Sequence, residues 1–377
     1  MTVSNATRII PDQNAAPPTI ADPARTARFA ERIGGMINDG AVVVMVALGH
    51  QLELFDAMAA AGRQTSEQLA DRTRLAERYV REWLSVMTTS GIVEYDPAGR
   101  TFRLPAEHAA CLTRAASPDN LAVTARFIPL IARMEDPIMD CFRSGEGLAY
   151  DAYPCFHEVM ADDSFQTVVC ALFDTIIPMV PGLQARLEQG IRVLDAGCGR
   201  GLALVEMARR FPNSEFIGYD LCPDAFEPTL KRSREEGLDN VRFQARDLRD
   251  FDEPERFDFI ASFDAVHDQA DPQALLDGIA RALRPGGVYL MQDIAGSSHL
   301  ENNLDHPLGP LLYAISCMHC TPVSLGQGGP GLGTMWGEEL ARSMLGAAGF
   351  TSIRTHKLEH DPFNVYFIAT HEGDGGQ

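Results

Sequence analysis

The sequence predicts an α/β chain in which a mainly helical winged-helix region precedes a mostly parallel, doubly wound sheet. Three observations carry this. Residues 63–103 read as helix, turn, helix and hairpin. From 191 onward, short β-branched and aromatic runs alternate with helical stretches, the pattern of a parallel sheet covered on both faces. A glycine-rich stretch, "VLDAGCGRG" (193–201), falls where the first of those strands ends.

Residues 1–27 lack the basic start and apolar core of a signal peptide and read as a disordered lead-in. The apolar stretch "AVVVMVALGHQLELF" (41–55) is too short for a membrane span and carries His50, Gln51 and Glu53, so it reads as a buried helix. Residues 28–110 are the expected winged-helix, dimerisation domain. Thr65 with Gln68 three residues on is a helix-start signature, and Gly91 ends the second helix. Leu69, Leu75, Val80, Leu84 and Met87 are the candidate core. "IVEY" and "TFRL" flank the turn-rich "DPAGR", which suits a hairpin. Residues 111–190 form an expected helical linker that covers the substrate, broken at Pro129, Pro137, Pro154, Pro178 and Pro181.

The last domain is expected over 191–377. Its strands are "RVLDAG", "EFIGYD", "VRFQAR", "FDFIASFDAV", "GGVYLMQDI", "TSIRTHKL" and "NVYFIATHE", seven in all. "ALVEMARRF", "AFEPTLKRSREEG", "PQALLDGIARALRPGG" and "GEELARSMLGAAGF" read as the helices between them.

Charge narrows the function classes. The 377 residues carry a formal net charge of −20, which repels nucleic acid and anionic membranes unless a local basic face reverses it. The winged-helix region holds seven arginines (63, 72, 74, 78, 81, 100, 103) against six acids (67, 71, 77, 82, 94, 96). That is too even a balance for a phosphate-gripping face, so a small-molecule partner is expected rather than nucleic acid. Eight cysteines lack a disulfide-like rhythm, which fits a reducing, cytoplasmic setting. The single CxxC, Cys317 to Cys320, has no second pair, so a structural zinc site is not expected.

The glycines at 197, 199 and 201 permit a tight turn that lets backbone approach a ligand. Asp195 precedes them and would repel a pyrophosphate while welcoming an amino group. Two more acids end the next strands. Asp220 stands 19 residues beyond Gly201, where a carboxylate can accept both ribose hydroxyls. Asp247 can accept an adenine amino group while Leu248 covers the ring. On these residues the chain resembles the class I S-adenosylmethionine-dependent methyltransferases over roughly 191–370, a Rossmann-like fold. The resemblance implies that Asp195, Gly197, Gly199 and Gly201 hold the methionine portion. It implies Asp220 and Leu221 at the ribose, Asp247 and Leu248 at the adenine, and Phe263 beside them.

"FDAVHDQADP" (263–272) follows the fourth strand. With a winged helix in front, the chain is similar to the small-molecule O-methyltransferases, whose motif at this place carries a general-base histidine. That resemblance makes His267 the base, although Gln269 replaces the family's tryptophan. A second resemblance is to metal-dependent methyltransferases that act on the β-carbon of 2-oxo acids. It implies His267, Asp268 and His319, 52 residues further on, as catalytic residues and as ligands of iron or another divalent metal. The metal-assisted reaction is the reading favoured by a small margin, with His-based O-methylation and a cofactor-sensing winged-helix regulator as alternatives. Arg126, Arg133 and Arg143 are candidate clamps for a substrate carboxylate.

Overall fold

The computed structural model describes residues 21–371. Most of the expected lead-in lies outside them, but its last part does not. A helix, α1 (Pro23–Gln51), begins there, and the Asp22 carboxylate caps it by accepting from Ala24 and Arg25 amides. The 41–55 stretch is thus mostly the end of a 29-residue helix. By length and composition alone, α1 is apolar enough to cross a membrane. Only its last turns are buried, while Phe29, Ile33, Met36, Ile37, Val44 and Leu48 stand exposed.

Next come α2 (Leu54–Ala61), α3 (Ser66–Thr73) and α4 (Glu77–Thr89), then a hairpin of β1 (Glu94–Asp96) and β2 (Thr101–Arg103). The Thr65–Gln68 capping box is present in both directions. Leu69, Val80, Leu84 and Met87 are buried as expected, and Leu75 packs half-buried against them. Trp83 fastens α4 to α1: its ring meets Phe55 at 5.1 Å, and its Nε1 donates to the Met45 carbonyl at 2.9 Å. A Cβ on Gly49 would lie 2.6 Å from that indole, so only glycine lets the two helices close.

Short helices fill 106–189, of which Phe156–Thr167 matters most below. The sheet then builds from β3 (Arg192–Ala196), β4 (Glu215–Asp220), β5 (Val241–Ala245), β6 (Phe257–Phe263), β7 (Leu283–Ile294), β8 (Ser352–Leu358) and β9 (Asp361–Thr370). Their order is β5-β4-β3-β6-β7-β9-β8, parallel through β7, with β9 antiparallel to both neighbours. Alternate residues enter two separate cores: Val193, Phe216, Phe259 and Leu290 face one, and Leu194, Ile217, Ile260 and Met291 the other. This is the α/β fold the sequence predicts. One boundary differs. The helix expected over 272–287 stops at Ala282, and β7 starts at Leu283 opposite Phe257, because Pro285, Gly286 and Gly287 cannot sustain helical hydrogen bonding.

Candidate active site

Strand order reverses between β3 and β6, and in an open α/β sheet ligands settle beyond the strand ends at such a point. Here β3 runs into Gly197, Cys198, Gly199, Arg200 and Gly201 before the helix Leu202–Arg210. Gly197 and Gly201 have φ of +79° and +65°. A Cβ at the first would lie 2.6 Å from that of Ala265, and at the second 2.2 Å from the Phe243 ring. The turn therefore demands glycine for conformation and for space. Asp220, at the end of β4, fixes the turn: its carboxylate accepts from the amides of Gly199 at 2.7 Å and Cys222 at 2.8 Å.

Asp195, Gly197, Gly199, Gly201, Asp220, Leu221, Asp247, Leu248 and Phe263 all line one cavity of about 1050 Å³, counted to its open mouth. Asp195 is 3% exposed, and its Oδ1 has no partner. Burial first, then the charge of Asp220, pushes its pKa up to about 7. A buried carboxyl without a counter-charge awaits a cation. The site therefore fits S-adenosylmethionine, whose amino group supplies one. Asp247 is placed differently from the expectation. It lines the cavity, yet its carboxylate is bonded by Arg249 Nε and Nη2, and this pairing holds its pKa low.

A second cavity of about 730 Å³ adjoins the first, sharing Phe156, Met160, Asp264 and Asp268. His267, Asp268 and His319 all line it, but they do not converge as one ligand set. Among the described residues, the three groups here whose ligand atoms approach within 4.8 Å of one another are Asp264, His267 and Asp293. His267 turns its Nδ1 to Asp293 Oδ1 at 2.9 Å. That oxygen also accepts from Trp336 Nε1 at 2.9 Å and the Ile294 amide at 2.8 Å. With three donors on it, Asp293 Oδ1 orients the imidazole and is a poor metal ligand. Burial alone would lower the His267 pKa, but Asp293 and Cys320 hold it well above the ordinary value.

Asp268 accepts from the Tyr150 hydroxyl at 2.6 Å. His319 sits in a π-helical turn, Ser316–Cys320, its ring stacked on Phe156 at 3.9 Å and edge-on to Tyr153 at 4.6 Å. Burial, then the charges of His267 and His157, depress its pKa to about 3. As placed, the members of the expected trio share a cavity without converging on one point. Four atoms favour a metal: His319 Nε2, Asp268 Oδ1, Asp264 Oδ1 and Asp293 Oδ2 are buried without partners, the last two in the cluster whose ligand atoms come together here. The arginine clamps are corrected. None lines the cavity; Arg126 pairs with Asp162, Arg143 with Asp140, and Arg133 is exposed.

Asp264 and Asp293 were missed although a signal existed. Each ends an apolar strand, "FDFIASF" and "VYLMQ", the rule that found Asp195. Tyr150 and Trp336 come from irregular segments, where no periodicity points inward.

Comparison with known proteins agrees with this architecture. Residues 187–339 match the family model of a methyltransferase domain, and 40–114 match an Rv2258c-like winged HTH domain. A fatty-acid O-methyltransferase of Mycolicibacterium smegmatis is 36% identical over 110 residues, which is 29% of this chain and 39% of that protein. The chain thus spans about two fifths of the length of the curated relatives it matches. Human N-acetylserotonin methyltransferase, solved with S-adenosylmethionine, superposes with TM-score 0.65 at 17% identity over 94% of this chain and 99% of that one. An O-methyltransferase family protein of Burkholderia thailandensis gives 0.64 at 15% identity, over 94% and 100%. The chain carries a methyltransferase domain of the S-adenosylmethionine-dependent kind over 187–339, with a winged-helix domain in front of it.

Proposed function

We propose that the protein transfers a methyl group from S-adenosylmethionine to a hydroxyl oxygen of a small molecule, with His267 as the general base. One observation carries the reading: Asp293 holds His267 by Nδ1 inside the second cavity, which leaves Nε2 as the nitrogen for a substrate proton. When bound, S-adenosylmethionine supplies an electrophilic methyl on a sulfonium and leaves as a neutral thioether. Asp195 and the glycine turn orient it. His267 takes the hydroxyl proton as the oxygen bonds to carbon, and Asp293 stabilises the resulting imidazolium. Phe156 and Met160, shared by both cavities, keep water from the reacting atoms.

C-methylation of a 2-oxo acid through a divalent metal is the second reading, favoured by the unpartnered His319 Nε2, Asp268 Oδ1, Asp264 Oδ1 and Asp293 Oδ2 and by the Asp264, His267 and Asp293 cluster. Metal analysis with a turnover assay separates the two. The expected result is methyl transfer to a phenolic hydroxyl that survives dialysis against a strong chelator. Iron at about one per chain, lost together with activity in His319→Ala, would replace the base reading with the metal one.

We propose further that a second copy covers the exposed apolar face of α1, making a homodimer. Light scattering should then give a molar mass twice that of one chain; a monomer throughout the micromolar range refutes it. The nucleic-acid reading has weak support. Arg63 and Arg103 both pair with Glu94, Arg78 with Glu82 and Arg81 with Glu77, so few wing arginines are left for phosphate.

A further inference from the structure

The second cavity has apolar walls and carboxyl groups at its ends. Phe127, Leu130, Ile131, Ile315 and Phe363 form its walls, while Asp163, Asp264 and Asp268 supply its carboxyl groups. Among the described residues, no lysine or arginine lines it. His267, its pKa held above the ordinary value, is bonded to Asp293 and lies 3.7 Å from Asp264, and His319 is neutral near pH 7. Of the three carboxyl groups, Asp268 is engaged by the Tyr150 hydroxyl and lies near His267.

Asp163 is without such help. It projects from the helix Phe156–Thr167, and the charges around it are those of Asp264, Asp361 and Asp162. Asp162 is already paired with Arg126. Asp361 is fully buried, and its carboxylate accepts only from neutral donors: Tyr366 Oη at 2.7 Å, Gln292 Nε2 at 3.2 Å and Asn364 Nδ2 at 2.9 Å. Burial first, and then these carboxylates, push the Asp163 pKa up to about 8. An anionic region inside low-dielectric walls strengthens attraction to a cation and repulsion of an anion alike.

We propose that the substrate carries a protonated amine on an apolar or aromatic body, and that Asp163 is the residue that binds the ammonium. The inference rests on the second cavity being the substrate site of the proposed methyl transfer. It also explains why no arginine is found where a carboxylate would need one. An ammonium beside Asp163 supplies a counter-charge and favours loss of that carboxyl's proton, whereas a carboxylate there would push its pKa higher still.

The test is binding without turnover, so that it stands apart from the identity of the base. Titration calorimetry at neutral pH, with S-adenosylhomocysteine present, compares tyramine, 4-ethylphenol and 3-(4-hydroxyphenyl)propionate, which share the ring and differ in charge. Tyramine should bind at least about tenfold more tightly than 4-ethylphenol, the scale expected of a desolvated charge pair, and the acid should bind most weakly. In Asp163→Asn the tyramine advantage should fall to within about threefold, with 4-ethylphenol unchanged. A preference for the acid, equal affinities, no tyramine binding at millimolar concentration, or an advantage that persists in Asp163→Asn each overturn the proposal. The wild-type ranking alone decides the matter if the variant does not fold. If the ranking holds while no methyl transfer occurs, the amine site stands and the His267 reading falls.

Discussion

Replacing His267 by alanine lowers kcat for methyl transfer by about a hundred- to ten-thousandfold, the range general-base groups supply. The affinity for S-adenosylmethionine stays within about threefold, because His267 lines the second cavity and not the first. The effect is large because neither of the other two expected catalytic residues is poised to substitute. His319 is stacked between aromatic rings with a depressed pKa, and Asp268 is engaged by Tyr150. The check is single-turnover kinetics beside a cofactor titration. A variant retaining more than a tenth of wild-type kcat would mean that the substrate ionises unaided.

Replacing Asp220 by alanine weakens S-adenosylmethionine binding by roughly tenfold to a hundredfold, the worth of a charge-assisted hydrogen bond. Two effects combine. The ribose loses the acceptor that the resemblance implies, and the amides of Gly199 and Cys222 lose the carboxylate that shapes the turn. Asp247→Ala should act more weakly, since Arg249 already occupies that carboxylate. Calorimetric titration of both variants orders them, and an Asp247 effect equal to that of Asp220 would contradict the geometry.

Sequence periodicity sufficed for the sheet because its central strands are buried on both faces and the strands are bounded by turn residues. The acids at strand ends stood out against apolar runs, so Asp195, Asp220 and Asp247 could be placed together before any coordinates. Substrate-side geometry was less legible. Whether His267 meets Asp268, its neighbour in sequence, or Asp293, 26 residues away, depends on how β6 and β7 pair. The Asp163 environment likewise needs a helix laid over the sheet, a contact with no local signature. The arginines of the linker looked like clamps because the acids that neutralise them are assigned only by packing.

The central claim is that Asp293 tunes His267 as the base, and the pH dependence of kcat/KM in wild type and Asp293→Asn tests it most directly. A base must be neutral to accept a proton, so activity falls as pH drops through its pKa. The wild-type acid limb should lie above pH 6.5, the ordinary imidazole value from which Asp293 raises His267. In Asp293→Asn the raising charge is gone while burial remains, so the limb should move to lower pH as the maximal rate falls. An acid limb that stays in place in the variant would contradict the account.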